Sequence, residues 1–307
     1  MSTWLGTLTG MTHDPVITRR GLILGGAAMA GLAACGSANK ISTAPSATTP
    51  ASNFALVQRY PNTPLFTPGA VRLPVCVGEP GTGTIVRNVP TVLRGTIVDV
   101  DDKTVATFET AVRNKGVQYP YFPVRATIPE EGAYVIRAEI GGIAEAAFQI
   151  FPEAQITMPR LGSKLVGFDT PTVDDHRGVE PVCTRTPEIC PFHTTTLTQA
   201  MADAAASGSG FVYFVGTPAH CQVGTCAPGL DFIINAWNVM DTKIPIVHAE
   251  VYADDLASRL APAVEALKVD YEPIVYLCDP SGTIVDRIDT IWDQSELDEA
   301  FAALQDR

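Results

Sequence analysis

Residues 211–230 read FVYFVGTPAHCQVGTCAPGL, and the fold turns on how that stretch divides. Phe211 to Val215 is a continuous apolar run, the composition of a strand covered on both faces. Gly216 and Pro218 interrupt it, and a loop follows that carries Cys221 and Cys226. Beyond the loop, Leu230, Ile233, Ile234 and Trp237 recur at helical spacing. A strand, a cysteine loop and a helix are therefore expected in that order. The two cysteines lie five positions apart, which in an ideal helix means ~500° of rotation and ~7.5 Å of rise, too far for a bridge. If they are bonded, Cys221 sits in the loop ahead of the helix. Three roles stay open for the pair: a redox couple, two metal ligands, or a clip that pins the loop. A helix N-terminus and a neighbouring imidazolium such as His220 would both stabilise a thiolate here.

Working outward, "TTTLTQAMADAAAS" (194–207) carries helix formers behind a threonine-rich cap. "IPIVHAEVY" (244–252) reads as a second buried strand, and "DDLASRLAPAVEALK" (254–268) as an amphipathic helix. "PIVYLC", the turn "DPSG" and "TIVDRI" form a hairpin over 273–288. "DQSELDEAFAALQ" (293–305) is a helix with Asp293 as N-cap and Glu296 three residues on.

This order of elements, with a cysteine loop after its first strand and Pro273 just ahead of the hairpin, resembles the thioredoxin fold. Within it, residues from about 160 to 307 are most similar to the exported redoxins of the TlpA and Sco kind. The resemblance implies an α/β thioredoxin-like domain over 153–307 and a cis peptide bond before Pro273. It also implies thiol–disulfide exchange, with Cys221 attacking, Cys226 resolving and Pro273 shaping the substrate groove. The sequence departs from the family's C-x-x-C, since Gln222, Val223, Gly224 and Thr225 separate the cysteines. Sco-type copper-delivery proteins use C-x-x-x-C with a distant histidine, so the alternative resemblance implies a copper site of Cys221, Cys226 and His248. Two thiolates and an imidazole suit Cu(I).

A second cysteine group, "PVCTRTPEICPFH" (181–193), precedes this core. A Cys183–Cys190 disulfide in a proline-rich loop is the plain expectation. Cys190 and His193, spaced C-x-x-H, form half a zinc site, and no matching pair of ligands exists unless Cys221 and Cys226 supply it. Cys76 and Cys278 lie among apolar residues and read as buried small hydrophobes.

Residues 53–152 alternate apolar and polar side chains in short runs separated by Gly, Pro, Asn and Asp. That texture predicts a β-sandwich. "EEGAYVI" (130–136) resembles the tyrosine-corner segment of immunoglobulin-like domains, with Ile136 where the usual cysteine would stand. The expected fold class is thus an all-β immunoglobulin-like sandwich followed by an α/β thioredoxin-like domain.

The N-terminal stretch "ITRRGLILGGAAMAGLAAC" places Arg19 and Arg20 before a glycine-rich apolar segment too short to span a bilayer. Residues 1–34 therefore read as a twin-arginine export signal, and Leu32 to Cys35 resemble the lipobox of bacterial lipoproteins, with Cys35 lipidated. Residues 35–52 are a Ser/Thr/Ala/Pro tether. A net charge of −12 argues against nucleic acid as a partner. The expected protein is anchored to the outer face of the cytoplasmic membrane and acts on extracytoplasmic protein thiols and disulfides. A non-catalytic binding lipoprotein with structural disulfides is the remaining alternative.

Overall fold

The computed structural model describes residues 52–307. The export signal, most of the tether and Cys35 lie outside the described residues. The described residues all belong to one compact unit.

The first seven strands are β1 (Ala55–Gln58), β2 (Gly69–Gly78), β3 (Val92–Val98), β4 (Thr104–Ala111), β5 (Phe122–Ile128), β6 (Gly132–Glu139) and β7 (Ile143–Ile150). They build one sheet of order β1-β2-β5 and another of order β4-β3-β6-β7, every pair antiparallel. Alternation sets the inward face: in β7, Ala144, Ala146, Phe148 and Ile150 are buried while Glu145 and Gln149 are exposed. The two sheets share one core that includes Leu73, Leu93, Ile97, Phe122 and Ile136. The Tyr134 hydroxyl donates to the Glu130 carbonyl at 2.9 Å and ties β6 to the turn before it.

The second half contains α1 (Leu197–Ser207), β8 (Phe211–Val215), α2 (Cys226–Val239), β9 (Ile246–Ala249), α3 (Pro262–Leu267), β10 (Ile274–Cys278), β11 (Ile284–Asp289) and α4 (Gln294–Gln305). Its sheet runs β11-β10-β8-β9, and β8 with β9 is the parallel pair. A parallel pair needs a crossover, which α2 supplies. β8 is buried on both faces because each face meets its own core. Phe211, Tyr213 and Val215 pack with Leu197, Ala200 and Ala204 of α1. Val212 and Phe214 pack with Leu230 and Ile233 of α2 and with Leu297 and Phe301 of α4. Gly229 lets α2 lie close to Trp292, since a Cβ there would come within 2.5 Å of the indole ring.

The expected fold class is corrected by this architecture. The described chain is mostly β-sheet, in three sheets with few helices, and the α/β thioredoxin-like domain is not shown. Irregular backbone takes up much of the second half, and between β7 and α1 only a three-residue turn, Glu153–Gln155, is regular. The amphipathic helix expected over 254–268 shrinks to Pro262–Leu267. There the Asp254 carboxylate accepts from the backbone N–H of Leu256 and Ser258, and Ala257 takes φ 52°, so the chain turns instead of coiling.

The seam between the β1–β7 sheets and the last helix is polar and buried. Arg72 of β2 grips Glu296 of α4 through two hydrogen bonds of 2.8 Å. Tyr121 donates to the same carboxylate and accepts from the Asp293 N–H. Burial alone would raise the Glu296 carboxyl, but the charge and hydrogen bonds of Arg72 outweigh it and hold the pKa down at about 2. Cys76, Tyr121 and Ile291 form a small apolar cluster along this seam. Burial pushes the Cys76 thiol up to about 11. No helix among the described residues is long and apolar enough to cross a membrane.

Candidate functional site

Two cysteine loops meet at β8 and β9. The first leaves β8 at Gly216. Its base is held by Thr217, whose N–H donates to the Glu272 carboxylate and whose hydroxyl accepts from the Val251 N–H at 2.8 Å. Ala219 N–H donates to the Thr184 hydroxyl at 3.1 Å. Gly224 turns the loop back with φ 68°, a region that favours glycine. Cys226 then becomes the first residue of α2 and bonds to Cys221, with a Cα–Cα separation of 5.8 Å in the ordinary range for a disulfide. Cys226 is wholly buried while Cys221 is half-buried. The Cys226 N–H, at the helix N-terminus, donates to the Cys221 sulfur at 3.2 Å. Cys221 thus lies ahead of the helix, where the five-position spacing requires it.

His220 packs edge-on to Tyr252 and makes no hydrogen bond to either sulfur. Pro273 packs at the base of the loop: a Cβ on Gly216 would lie 3.2 Å from Pro273 Cβ, and the Glu272–Pro273 peptide is cis as expected. Val223, 45% exposed, stands at the loop's crest between two clefts. One, of about 360 Å³, is walled by Gln222, Tyr252, Val264, Tyr271 and Glu272. The other, of about 400 Å³, is walled by Arg59, Val117, Tyr119, Thr225 and Ile291, so the β1–β7 half forms one side of it.

The second loop brings Cys183, Cys190 and His193 against His248 of β9. All four side chains are at most 3% exposed, and one donor atom from each lies within 4.8 Å of the others. His248 Nδ1 is 3.3 Å from Cys190 Sγ, 3.9 Å from Cys183 Sγ and 2.9 Å from His193 Nε2. His248 Nε2 lies 2.7 Å from the Gly216 carbonyl, which can only accept, so Nε2 carries the proton and Nδ1 faces the cluster with its lone pair. Hydrogen bonding from Cys190, aided by the two imidazoles against burial, pulls the Cys183 thiol down. Burial, reinforced by Cys183, pushes the Cys190 thiol up. Burial opposes charge on His248, but Cys183 and Glu250 outweigh it and raise its pKa. Burial lifts the Glu250 carboxyl to about 7, tempered by His248 and by the N–H of Thr184, which donates to it at 2.7 Å.

Two sequence expectations are corrected here. Cys183 and Cys190 are free and not a disulfide, and both sulfurs lie beside His248 Nδ1. The copper set of Cys221, Cys226 and His248 is not assembled: the first two are bonded to each other, and His248 joins the other pair. The full cluster was missed because its fourth member lies 55 residues beyond His193, on a strand where a lone histidine reads as core. The C-x-x-H of Cys190 and His193 was the legible half. Cys76 and Cys278 are free and buried, and burial pushes up the Cys278 thiol. The chain matches no protein-family model, and no curated protein matches it.

Proposed function

We propose that the chain is an extracytoplasmic thiol–disulfide oxidoreductase, tethered to the membrane through a lipid on Cys35, and that Cys221 and Cys226 carry the exchange. The observation that carries this reading is the asymmetry of the bridge. Cys221 is half-buried at the start of a loop whose crest stands between two clefts, and Cys226 is wholly buried at the first turn of α2. In the oxidising direction a substrate thiolate attacks Cys221 Sγ, the Cys221–Cys226 bond breaks, and Cys226 leaves with the electron pair and takes up a proton. A second substrate thiolate then attacks the substrate sulfur of the mixed disulfide. Cys221 departs as a thiolate, stabilised by the Cys226 N–H and the helix N-terminus. The reverse sequence reduces a substrate disulfide. Val223, between the clefts, and Pro273, at the base of the loop, act as positioning residues.

A redox titration of the full chain, read by disulfide-mapping mass spectrometry, tests this. A Cys221–Cys226 potential above about −270 mV fits an exchanging pair, whereas a bridge that resists reduction below about −300 mV is a structural clip. The clip outcome would leave the binding-lipoprotein alternative standing.

Copper handling has one observation in its favour, the two soft sulfurs of Cys183 and Cys190 beside two imidazoles. Every donor there is buried, so the cluster is built to hold an ion and is poorly placed to hand one on. Copper recovered with the purified chain would support this second reading.

A further inference from the structure

We propose that Cys183, Cys190, His193 and His248 bind one zinc ion, which fastens the 180–193 segment to β9 and to the root of the disulfide loop. The inference does not depend on the redox reading of Cys221 and Cys226.

Three observations converge on it. The first is geometric. With Zn–S near ~2.3 Å and Zn–N near ~2.0 Å, a tetrahedral site has ligand-to-ligand edges of about 3.3–3.8 Å. The observed separations of 2.9, 3.3 and 3.9 Å around His248 Nδ1 lie within a few tenths of an ångström of that. The second is the surrounding shell. A metal-bound histidine ordinarily donates its other ring N–H to a carbonyl or carboxylate, and His248 Nε2 does so to Gly216. Beside Cys183, Thr184 is held by Glu250 through its N–H and its hydroxyl. That same hydroxyl accepts from Ala219, so the ligand loop and the disulfide loop share one clamp. The third is the backbone. No helix or strand runs through 180–193, and its cysteines and histidine are nonetheless among the most buried side chains of the second half. A segment without its own ladder of hydrogen bonds needs another staple, and metal binding supplies folding energy directly.

The donor set selects the ion. Two thiolates neutralise a divalent charge, so the closed site carries no net charge into the interior, and four protein ligands leave no position for substrate or water. That is the pattern of a structural zinc site. Ligation also keeps Cys183 and Cys190 out of exchange with the Cys221–Cys226 bridge.

The test uses the full chain purified without added metal. Elemental analysis is expected to give one zinc per chain, and cobalt substitution a spectrum of tetrahedral thiolate coordination. The double variant C183S/C190S is expected to lose at least nine-tenths of the metal, while C221S/C226S keeps it. Because the first variant can fail to fold, wild-type chain is also stripped with a strong chelator. Its melting temperature should drop and recover on adding zinc chloride. The proposal is overturned by a Cys183–Cys190 disulfide in the mass map, by copper in place of zinc, by metal that survives C183S/C190S, or by a stripped chain that melts unchanged.

Discussion

The two cysteine loops are built from the same residue types, one leaving β8 and the other packing against His248 of β9, and they end in opposite chemistry. In the loop ahead of α2, the sulfurs find each other, and one remains near solvent. In the loop ahead of α1, the sulfurs are unbonded and share their surroundings with two imidazoles, and all four groups are buried. The difference teaches that cysteine count and spacing set what can bond, while burial and neighbouring donors decide what does. A helix N-terminus favours thiolate at Cys221, whereas a dry cluster that must place two sulfurs and two ring nitrogens favours a cation.

The sharpest way to break the comparison is to exchange the roles by mutation. Cys221→Ser is expected to drop disulfide exchange with a model dithiol peptide to the uncatalysed rate, while loss of so short a bridge costs only about 2 kcal/mol in denaturant unfolding. The pattern expected for C183S is the converse, with weakened folding and the Cys221–Cys226 bridge still present in the mass map. If both variants behave alike, the division of labour is wrong. Next in size is the seam that makes the β1–β7 half a fixed wall of one cleft. Arg72→Ala leaves Glu296 buried without its partner and should cost about 3–5 kcal/mol.

The same ion pair has a pH signature. The folded Glu296 carboxyl, at about 2, lies below its unfolded value, so its stabilisation is present above about pH 4.5. It is lost as pH falls from there through the folded value, on the order of 3 kcal/mol. Acid titration of wild type against Glu296→Gln isolates this share, since the variant lacks it at every pH. The smallest effect is expected at the crest of the disulfide loop. Gly224 has open space around it but φ 68°, so Gly224→Ala should cost about 1 kcal/mol and shift the bridge potential without breaking it.

Local chemistry was legible in the sequence wherever a few neighbouring residues settle the outcome. The Phe211–Val215 run is a strand, and Asp293 caps α4 by accepting from the Glu296 N–H at 2.8 Å. The placement of Cys221 ahead of a helix followed from spacing alone. What depends on distant partners was not legible. Glu296 reads as the far end of a capping box, yet its carboxylate is taken by Arg72, more than two hundred positions earlier. His248 reads as a packed strand residue because its partners sit 55 to 65 positions back. The 254–268 stretch has helical periodicity, but the Asp254 side chain captures its first turn. The fold class failed for the same reason: it sums over long segments whose backbone is fixed by side chains elsewhere.

Cys76 turns the seam into a clock. Its thiol is fully buried beside Tyr121 and Ile291, and burial suppresses its ionisation. An alkylating reagent can reach it only while the β1–β7 sheets have parted from Ile291, so its labelling rate counts those openings one by one. Cys278 is shielded instead by α1 and the hairpin, and provides the reference whose labelling requires the second half itself to unfold. The ratio of the two rates separates motion at the seam from global unfolding in a single unmodified chain.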